Sequence, residues 1–508
     1  MDLNRLKLFF KSNGYILCLS ALFFVLYTFN LDKYPIIWSD EAFFSNPAFN
    51  LAFHGFLGTT MMPTFYNISH YTYWQMPFYM VLLSVSFKLF GFGIIQARMV
   101  SVILGFFTVI FTYLLGKELY NEKVGFLAIL LLILNPFFFF IARDARMDIA
   151  VICFTLISLY FLIRALNTKI CYYYFGVGLF AMLSILSHPN GLFGVICGVL
   201  IYCMCKINFK THEVNFKLKE ILYMIIGPIL LLIPYLWYIS LDYPDFVLQV
   251  SSNLLSSAGG PLNNLFSEVF RYELLNEFLL NIYWLLNPIM ILILVYLIGL
   301  GIYYIIKTKK EFNSKFLGII LLIQLFLIAV LVDQKLTIYY LGVILPYLCI
   351  LFAVLFKRRY IFKKSIQRFI TYLIIFLIIF SSLGIFNILY THRINDSDNF
   401  ILEFPNYIPE GSIVTGRPVN WWYLHDNYIF YEDSPLDPSK FNHLHVDIAL
   451  NFSYYKKEGV QYILCDPSYS RYNSSYNNDF LKNNCTFIGE IPYYKGIPLS
   501  PIKIYKII

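Results

Sequence analysis

Two adjacent carboxylates, Asp40 and Glu41, follow the first apolar segment of this 508-residue chain. A carboxylate pair beside a membrane segment costs desolvation free energy unless it is solvated or partnered. The pair therefore calls for a functional explanation. The alternative is that both residues only cap the N-terminus of an interfacial helix.

A second charged cluster follows Asn135-Pro136, in the sequence Arg143-Asp144-Ala145-Arg146-Met147-Asp148. Arg143 and Arg146 are three residues apart, so they are neighbours if this turn is helical. Two guanidinium groups suit the binding of a phosphate. A salt-bridge cluster between the arginines and the aspartates of the turn is the alternative.

Arg98 and His188 stand at the ends of two further apolar segments. A lone arginine in such a place often extends its charge to the lipid headgroups. His188 precedes a Pro-Asn-Gly turn and could contact a phosphate or a metal, or serve only as a turn residue.

Composition defines the class of protein. The chain is 59% hydrophobic and 13% charged, and this balance predicts a polytopic membrane protein. The net charge of +8 comes from short basic clusters between apolar runs, which the positive-inside rule explains without a nucleic-acid partner. The nine cysteines show no spacing typical of a zinc site.

About eleven apolar segments have the roughly 17 to 25 residues that a membrane span needs. They lie at 13–31, 96–116, 124–142, 149–166, 171–187, 190–205, 221–240, 284–306, 316–332, 337–356 and 368–390. The run 76–90 would extend only about 22 Å as a helix, less than a core of roughly 30 Å. We therefore expect it to be an interfacial helix within a first outer loop at 32–95.

With 76–90 outside the membrane core, all the long basic loops lie on the side of the basic N-terminus. The positive-inside rule then predicts a cytoplasmic N-terminus for a multi-pass protein of the plasma membrane. The charged residues described above, and the tail of the chain, fall on the extracytoplasmic face.

The tail changes in composition from about residue 393 onward. Short runs with β propensity at 411–415, 460–464 and 502–505 predict a small extracytoplasmic α/β domain at 393–508, after a mainly α transmembrane domain at 1–392. Cys465 and Cys485 lie in this tail and could form a disulfide.

The order of these motifs resembles the GT-C class of membrane glycosyltransferases. Within that class it is similar to the protein O-mannosyltransferases and the lipid A aminoarabinose transferase, which are glycosyltransferase family 39-like. The likeness covers roughly residues 13–205. The motifs that carry it are Ser39-Asp40-Glu41, Leu89-Phe90-Gly91, Gln96-Ala97-Arg98, Asn135-Pro136 and the 142–148 turn.

The resemblance implies roles for individual residues. An Asp at the start of the first outer loop is catalytic in that family and corresponds to Asp40, with Glu41 as a neighbouring candidate. A functionally required Asp after the third span corresponds to Asp148, and an Arg of the second span to Arg98.

One departure concerns the lipid phosphate. Relatives often carry a Lys-Pro-Pro or His-Pro-Pro sequence where this chain has Gln75-Met76-Pro77. The missing cation also leaves open the divalent metal that relatives bind nearby, so no cofactor is assigned. The phosphate contacts would then come from other residues, namely Arg98, Arg143, Arg146, His188, Tyr339 and Tyr340.

The implied function is transfer of a sugar from a polyprenyl-phosphate donor to a protein, lipid or glycan acceptor on the extracytoplasmic face. Asp40 would act as general base on the acceptor hydroxyl. The alternatives are a lipid or glycan transporter or flippase, and a non-catalytic glycan-binding relative. Transport normally requires polar residues near mid-membrane, and the predicted spans carry almost none.

Overall fold

The computed structural model describes residues 3–37, 39–63, 65–208, 213–257, 287–331, 337–393, 397–432, 452–465, 475–492, 494 and 501–508. Trp38, which precedes the carboxylate pair, lies outside these residues. So do parts of the predicted outer loops near 241–283 and 333–335.

The membrane part is built from helices. The first eleven are α1 Leu3–Thr28, α2 Ser39–His54, α3 Phe78–Phe90, α4 Ile94–Leu119, α5 Glu122–Ile133, α6 Pro136–Ile141, α7 Asp148–Thr168, α8 Tyr172–Ser187, α9 Gly191–Lys206, α10 Leu218–Ser240 and α11 Tyr243–Ser257. A short hairpin of β1 (Ile207–Asn208) and β2 (Glu213–Val214) joins α9 to α10. Later helices lie at Asn287–Lys307, Phe312–Leu331, Thr337–Leu341, Leu345–Lys357 and Lys364–Thr391.

Among the described residues, five helices are long and apolar enough to cross a membrane. They are Ile94–Leu119, Asp148–Thr168, Leu218–Ser240, Tyr339–Lys357 and Lys364–Thr391. Shorter apolar helices occupy most of the other predicted segments. The mainly α membrane fold is therefore confirmed, whereas the number of about eleven spans stays a prediction.

The segment 124–142, predicted as one span, is two helices. α5 ends at Ile133 and α6 begins at Pro136. Proline has no N–H to continue a helix, and the Asn135 side chain accepts hydrogen bonds from the backbone N–H groups of Phe137 and Phe138. This cap starts a new helix and redirects the chain toward the 142–147 turn.

α3 lies against one face of the bundle, which we call the site face: α1 ends there, and α4 and α7 begin there. α3 has 13 residues and so extends about 20 Å. Near its start, the Phe78 ring is 5.7 Å from that of Phe154 in the second turn of α7. Near its end, the Ser86 hydroxyl donates to the Gln96 carbonyl at the start of α4. Both ends of α3 therefore lie at the site face, and its interfacial position stays a prediction.

α8 and α10 pack closely because glycines face the contact. A Cβ atom on Gly178 of α8 would lie 1.9 Å from the Met224 carbonyl oxygen of α10, and one on Gly227 would lie 2.5 Å from the Leu179 nitrogen. Small residues let helix backbones approach each other where lipid supplies no hydrophobic driving force.

The tail forms a five-stranded mixed sheet in the order β4-β3-β5-β7-β6. Its strands are β3 Ile413–Gly416, β4 Ile429–Glu432, β5 Tyr462–Cys465, β6 Cys485–Ile491 and β7 Ile502–Ile507. β3 pairs in parallel with β4 and β5, and β7 is antiparallel to β5 and β6. Helices Ser397–Glu403, Asn420–Leu424, Phe452–Lys457 and Ser475–Asn484 accompany the sheet.

Cys465 and Cys485 do not form the disulfide that the sequence allowed. Cys465 ends β5 and Cys485 begins β6, with β7 between the two strands. Two strand spacings amount to about 10 Å, whereas the Cα atoms of a disulfide are separated by less than about 7 Å. Both cysteines are buried.

Candidate active site

Asp40 and Glu41 lie in the first turn of α2, where the helix N-terminus stabilises negative charge. Their surroundings differ. The Asp40 side chain is 27% exposed, whereas that of Glu41 is completely buried. Asp40 is therefore the member of the pair that a substrate can reach.

Glu41 forms a buried ion pair with Arg98. The Arg98 Nε and Nη2 atoms donate to the two carboxylate oxygens at 2.8 and 2.7 Å, and Nη1 donates to the Leu31 carbonyl at 2.8 Å. The Ala145 N–H donates to Glu41 Oε1 at 3.1 Å. Glu41 and Arg98 thus join α2, α4, the end of α1 and the 142–147 turn, which is a structural arrangement.

Arg146 lies between two carboxylates. Its Nη1 atom pairs with Asp40, and its Nε atom donates to Asp148 Oδ2 at 2.8 Å. The guanidinium carbon lies 3.9 Å from the centre of the Tyr339 ring. One buried guanidinium therefore holds the carboxylate of α2 and that of α7 together, with its charge facing an aromatic ring.

Arg143 has a different environment. Its guanidinium donates to the carbonyls of Leu26, Phe29, Asn30 and Tyr34 at 2.8–3.1 Å. These five hydrogen bonds use all five N–H groups of an arginine. They satisfy carbonyls in the last turn of α1 and in the segment that follows it, and they leave no donor for a phosphate. The geometry therefore favours a structural role for Arg143 over the phosphate contact expected from the sequence.

The two arginines diverge because residues 142–147 form turns and bends rather than a helix. The condition under which Arg143 and Arg146 would be helical neighbours is therefore not met. Arg143 is directed toward α1 and Arg146 toward α2 and α7.

Electrostatics distinguish Asp40 from an ordinary aspartate. Burial raises the pKa of the Asp40 carboxyl, and Arg146 opposes this shift. The negative charges of Asp148 and Glu41 raise the pKa further. A carboxylate with a raised pKa is a stronger base than a solvated one.

His188 begins the turn between α8 and α9. Burial lowers its pKa to about 4, so the imidazole is neutral near pH 7. Nδ1 accepts a hydrogen bond from the Asn190 N–H at 3.2 Å, and Nε2 lies 3.5 Å from the Tyr340 hydroxyl. This network places the proton on Nε2. His188 can therefore offer an N–H to an anion but no positive charge.

No group of three or more His, Cys, Asp or Glu residues that could hold a metal ion occurs in the described ranges. The divalent metal considered from the sequence stays a prediction.

The sequence reasoning did not single out Asp144 and Tyr423. Asp144 is fully buried, and its pKa is raised by burial and by the charge of Glu41. Tyr423 comes from the tail and lies close enough for the charges of Arg98 and Glu41 to act on its hydroxyl. The Trp421-Trp422-Tyr423 run in a polar tail was the available signal for the latter.

The comparisons with known proteins agree with this fold. Residues 75–238, about a third of the chain, match the family model of dolichyl-phosphate-mannose-protein mannosyltransferases. No curated protein sequence matches the chain.

Solved structures show the same fold over nearly the whole chain. ArnT from Cupriavidus metallidurans, bound to undecaprenyl phosphate, superposes with a TM-score of 0.63 at 12% identity, covering 97% of this chain and 98% of ArnT. The apo oligosaccharyltransferase of Archaeoglobus fulgidus has a TM-score of 0.57 at 13% identity, covering 90% of this chain and 70% of its own. The archaeal AglB from the same organism, in complex with an inhibitory peptide and a dolichol-phosphate, has a TM-score of 0.55 at 13% identity, with the same coverage.

The resemblance found in the motifs is therefore confirmed: the chain shares the fold of these solved structures, and residues 75–238 are similar to the mannosyltransferase family. It is an integral membrane protein.

Proposed function

We propose that this protein transfers a sugar from a polyprenyl-phosphate donor to a hydroxyl of a protein, lipid or glycan acceptor. The observation that carries the proposal is the partly exposed Asp40 beside the buried Arg146. A base and a fixed positive charge are thus adjacent at one reachable point. The solved relatives with bound undecaprenyl phosphate or dolichol-phosphate support a lipid-linked donor.

Asp40 acts as the general base. Its carboxylate takes the proton of the acceptor hydroxyl while that oxygen attacks the anomeric carbon. The bond between the anomeric carbon and the phosphate oxygen breaks, and the polyprenyl phosphate leaves with the bonding electrons. Burial raises the pKa of Asp40 and so strengthens it as a base.

Arg146 supplies the positive charge that stabilises the leaving phosphate. The Nε2–H of His188 contributes a neutral hydrogen bond beside it. Asp148 holds the Arg146 guanidinium from the other side, so it is a positioning residue. Arg98 and Arg143 hold the elements of the site in place through Glu41 and the carbonyls at the end of α1.

The site face is extracytoplasmic in this proposal. Basic residues lie at the opposite ends of the same helices, for example Lys117 at the end of α4, Arg164 near the end of α7 and Lys206 at the end of α9. The positive-inside rule assigns that opposite face to the cytoplasm.

The test is turnover by the purified chain in lipid, supplied with hexosyl or pentosyl undecaprenyl phosphates and with peptide, lipid and glycan acceptors. Asp40→Asn should lower kcat at least about a hundredfold, because general-base help contributes about 10² to 10⁴ in rate. Donor binding should change little, because the asparagine preserves the shape of the side chain.

Asp426→Asn is the matched control. Asp426 is a carboxylate of the tail, with a side chain that is 83% exposed, and its loss should leave kcat unchanged. An Asp40→Asn protein with full activity would contradict the assignment. Movement of the donor across the bilayer without product would favour a transporter instead.

A further inference from the structure

A cavity lies at the opposite face of the bundle, away from Asp40. It has a volume of about 340 Å³ and lies among the ends of α7, α8, α9 and α10 and the start of the helix Phe312–Leu331. At about 30 Å³ per water molecule, this space has room for a group much larger than water. Its lining residues are Leu166, Asn167, Lys169, Tyr174, Cys205, Lys206, Lys217, Glu220 and Phe312.

One wall is a buried polar cluster around Glu220. Lys206 Nζ lies 2.7 Å from Glu220 Oε2, and the Tyr202 hydroxyl donates to the same carboxylate at 2.7 Å. The Glu220 side chain is 6% exposed and that of Lys206 is 15% exposed. The negative charge of Glu220 is therefore compensated, and the cluster gives the cavity a fixed polar wall.

Two further lysines make the cavity cationic. Lys169 ends α7 in a left-handed conformation, with φ 59°, and Lys217 precedes α10. Within the described part of the chain, neither forms an ion pair. Three lysines and one glutamate line the cavity, so its net charge is +2.

The outer surface of the helices around the cavity is apolar. Leu218 and Leu222 of α10 are 72% and 50% exposed, and Tyr172 at the start of α8 is 59% exposed. Of the most apolar 18-residue stretch of α10, only 6% is buried against the described part of the chain. Such a surface suits acyl chains, so a lipid of the bilayer could place its headgroup in the cavity.

We infer that this cavity binds the phosphate headgroup of an anionic phospholipid, whose acyl chains lie along α8 and α10. Basic pockets between membrane helices on the positively charged side recognise such headgroups. The site is separate from the sugar-transfer site, and its occupancy does not depend on the proposed reaction.

The experiment measures retention of phosphatidylglycerol by the delipidated full-length chain, using native mass spectrometry. Phosphatidylcholine and inorganic phosphate are the comparison ligands. The double variant Lys169→Gln/Lys217→Gln should bind phosphatidylglycerol roughly thirtyfold more weakly, because each lysine near the headgroup contributes about fivefold. Phosphatidylcholine should bind weakly to every variant.

Lys309→Gln/Lys310→Gln is the matched control. These two lysines are exposed at the same face but do not line the cavity, so their loss should change retention by less than about threefold. Leu166→Trp keeps all the charges while filling the cavity, and it should also weaken retention. Unfolding midpoints in lipid-free detergent show whether each variant is folded.

Several outcomes would overturn the inference. Equal losses in the two double variants would mean a general charge effect, and unchanged binding in the Lys169/Lys217 variant would mean that the cavity is not the site. Displacement of phosphatidylglycerol by millimolar inorganic phosphate, with no preference for lipid, would assign the cavity to a free anion.

Discussion

At the residue scale, Arg146 pairs with Asp40 and influences the pH at which the Asp40 carboxyl is charged. Burial raises the pKa of the Asp40 carboxyl, whereas the charge of Arg146 lowers it. The net shift of the Asp40 pKa is upward, so Asp40 becomes protonated at a higher pH than a solvated aspartate, whose pKa is about 3.9. A general base works only when unprotonated. With Asp40 as the proposed base, acidification should therefore remove activity at a higher pH than it would with a solvated base.

The pH profile of kcat/KM tests this linkage. The acid limb should report the Asp40 pKa in the free enzyme. Arg146→Gln should move the limb to higher pH, because it removes the charge that lowers that pKa, and Arg146→Lys should leave it closer to that of the unmodified chain. If the acid limb of Arg146→Gln does not move, a group other than Asp40 controls the limb. The same conclusion follows if the residual activity of Asp40→Asn keeps the acid limb of the unmodified chain.

The sequence predicts which charged residues lie near the site, but it does not predict which of them form ion pairs with each other. Arg143 and Arg146 look equivalent in the sequence, yet one binds the carbonyls at the end of α1 and the other binds Asp40 and Asp148. Their difference arises from the irregular turn at 142–147. Long-range pairings of this kind depend on tertiary contacts that residue spacing does not contain.

At the element scale, hydrophobic segments predicted the helices well because a membrane span requires a long apolar run. The break between α5 and α6 was missed although Asn135-Pro136 was noted, because the surrounding residues stay apolar on both sides. The weakly buried α10 depends on its contact with α8, in which Gly178 and Gly227 allow the backbones to approach.

Gly178→Ala should destabilise the chain by about 1–3 kcal/mol. The added methyl group would lie 1.9 Å from the Met224 carbonyl oxygen, so the two helices must move apart, and overpacking of this kind has about that cost. Gly299→Ala is the matched control, because no atom lies within 4 Å of the Cβ position there. The unfolding midpoint in detergent measures both variants. Equal midpoints would mean that α8 and α10 are not held by this close contact.

At the scale of the whole molecule, the tail is attached to the loop that carries Asp40. The Glu432 N–H at the end of β4 donates to the Met61 carbonyl of the first outer loop at 2.7 Å. The rings of Trp422 and Phe92 stack with their centres 5.0 Å apart, and Trp421 contacts Phe49 of α2. The sheet therefore helps to fix α2, the helix whose first turn carries Asp40.

A double-mutant cycle on Phe92→Ala and Trp422→Ala tests this attachment. The stacked rings should give a coupling of about 0.5–1.5 kcal/mol in the free energy of unfolding. Each single variant should also lower kcat, because a less firmly held α2 allows Asp40 to move away from Arg146. Phe487→Ala is the control: its ring is 53% exposed and packs on Tyr505 within the sheet, so kcat should stay unchanged. Additive stabilities, together with full activity in both single variants, would mean that the tail does not position α2.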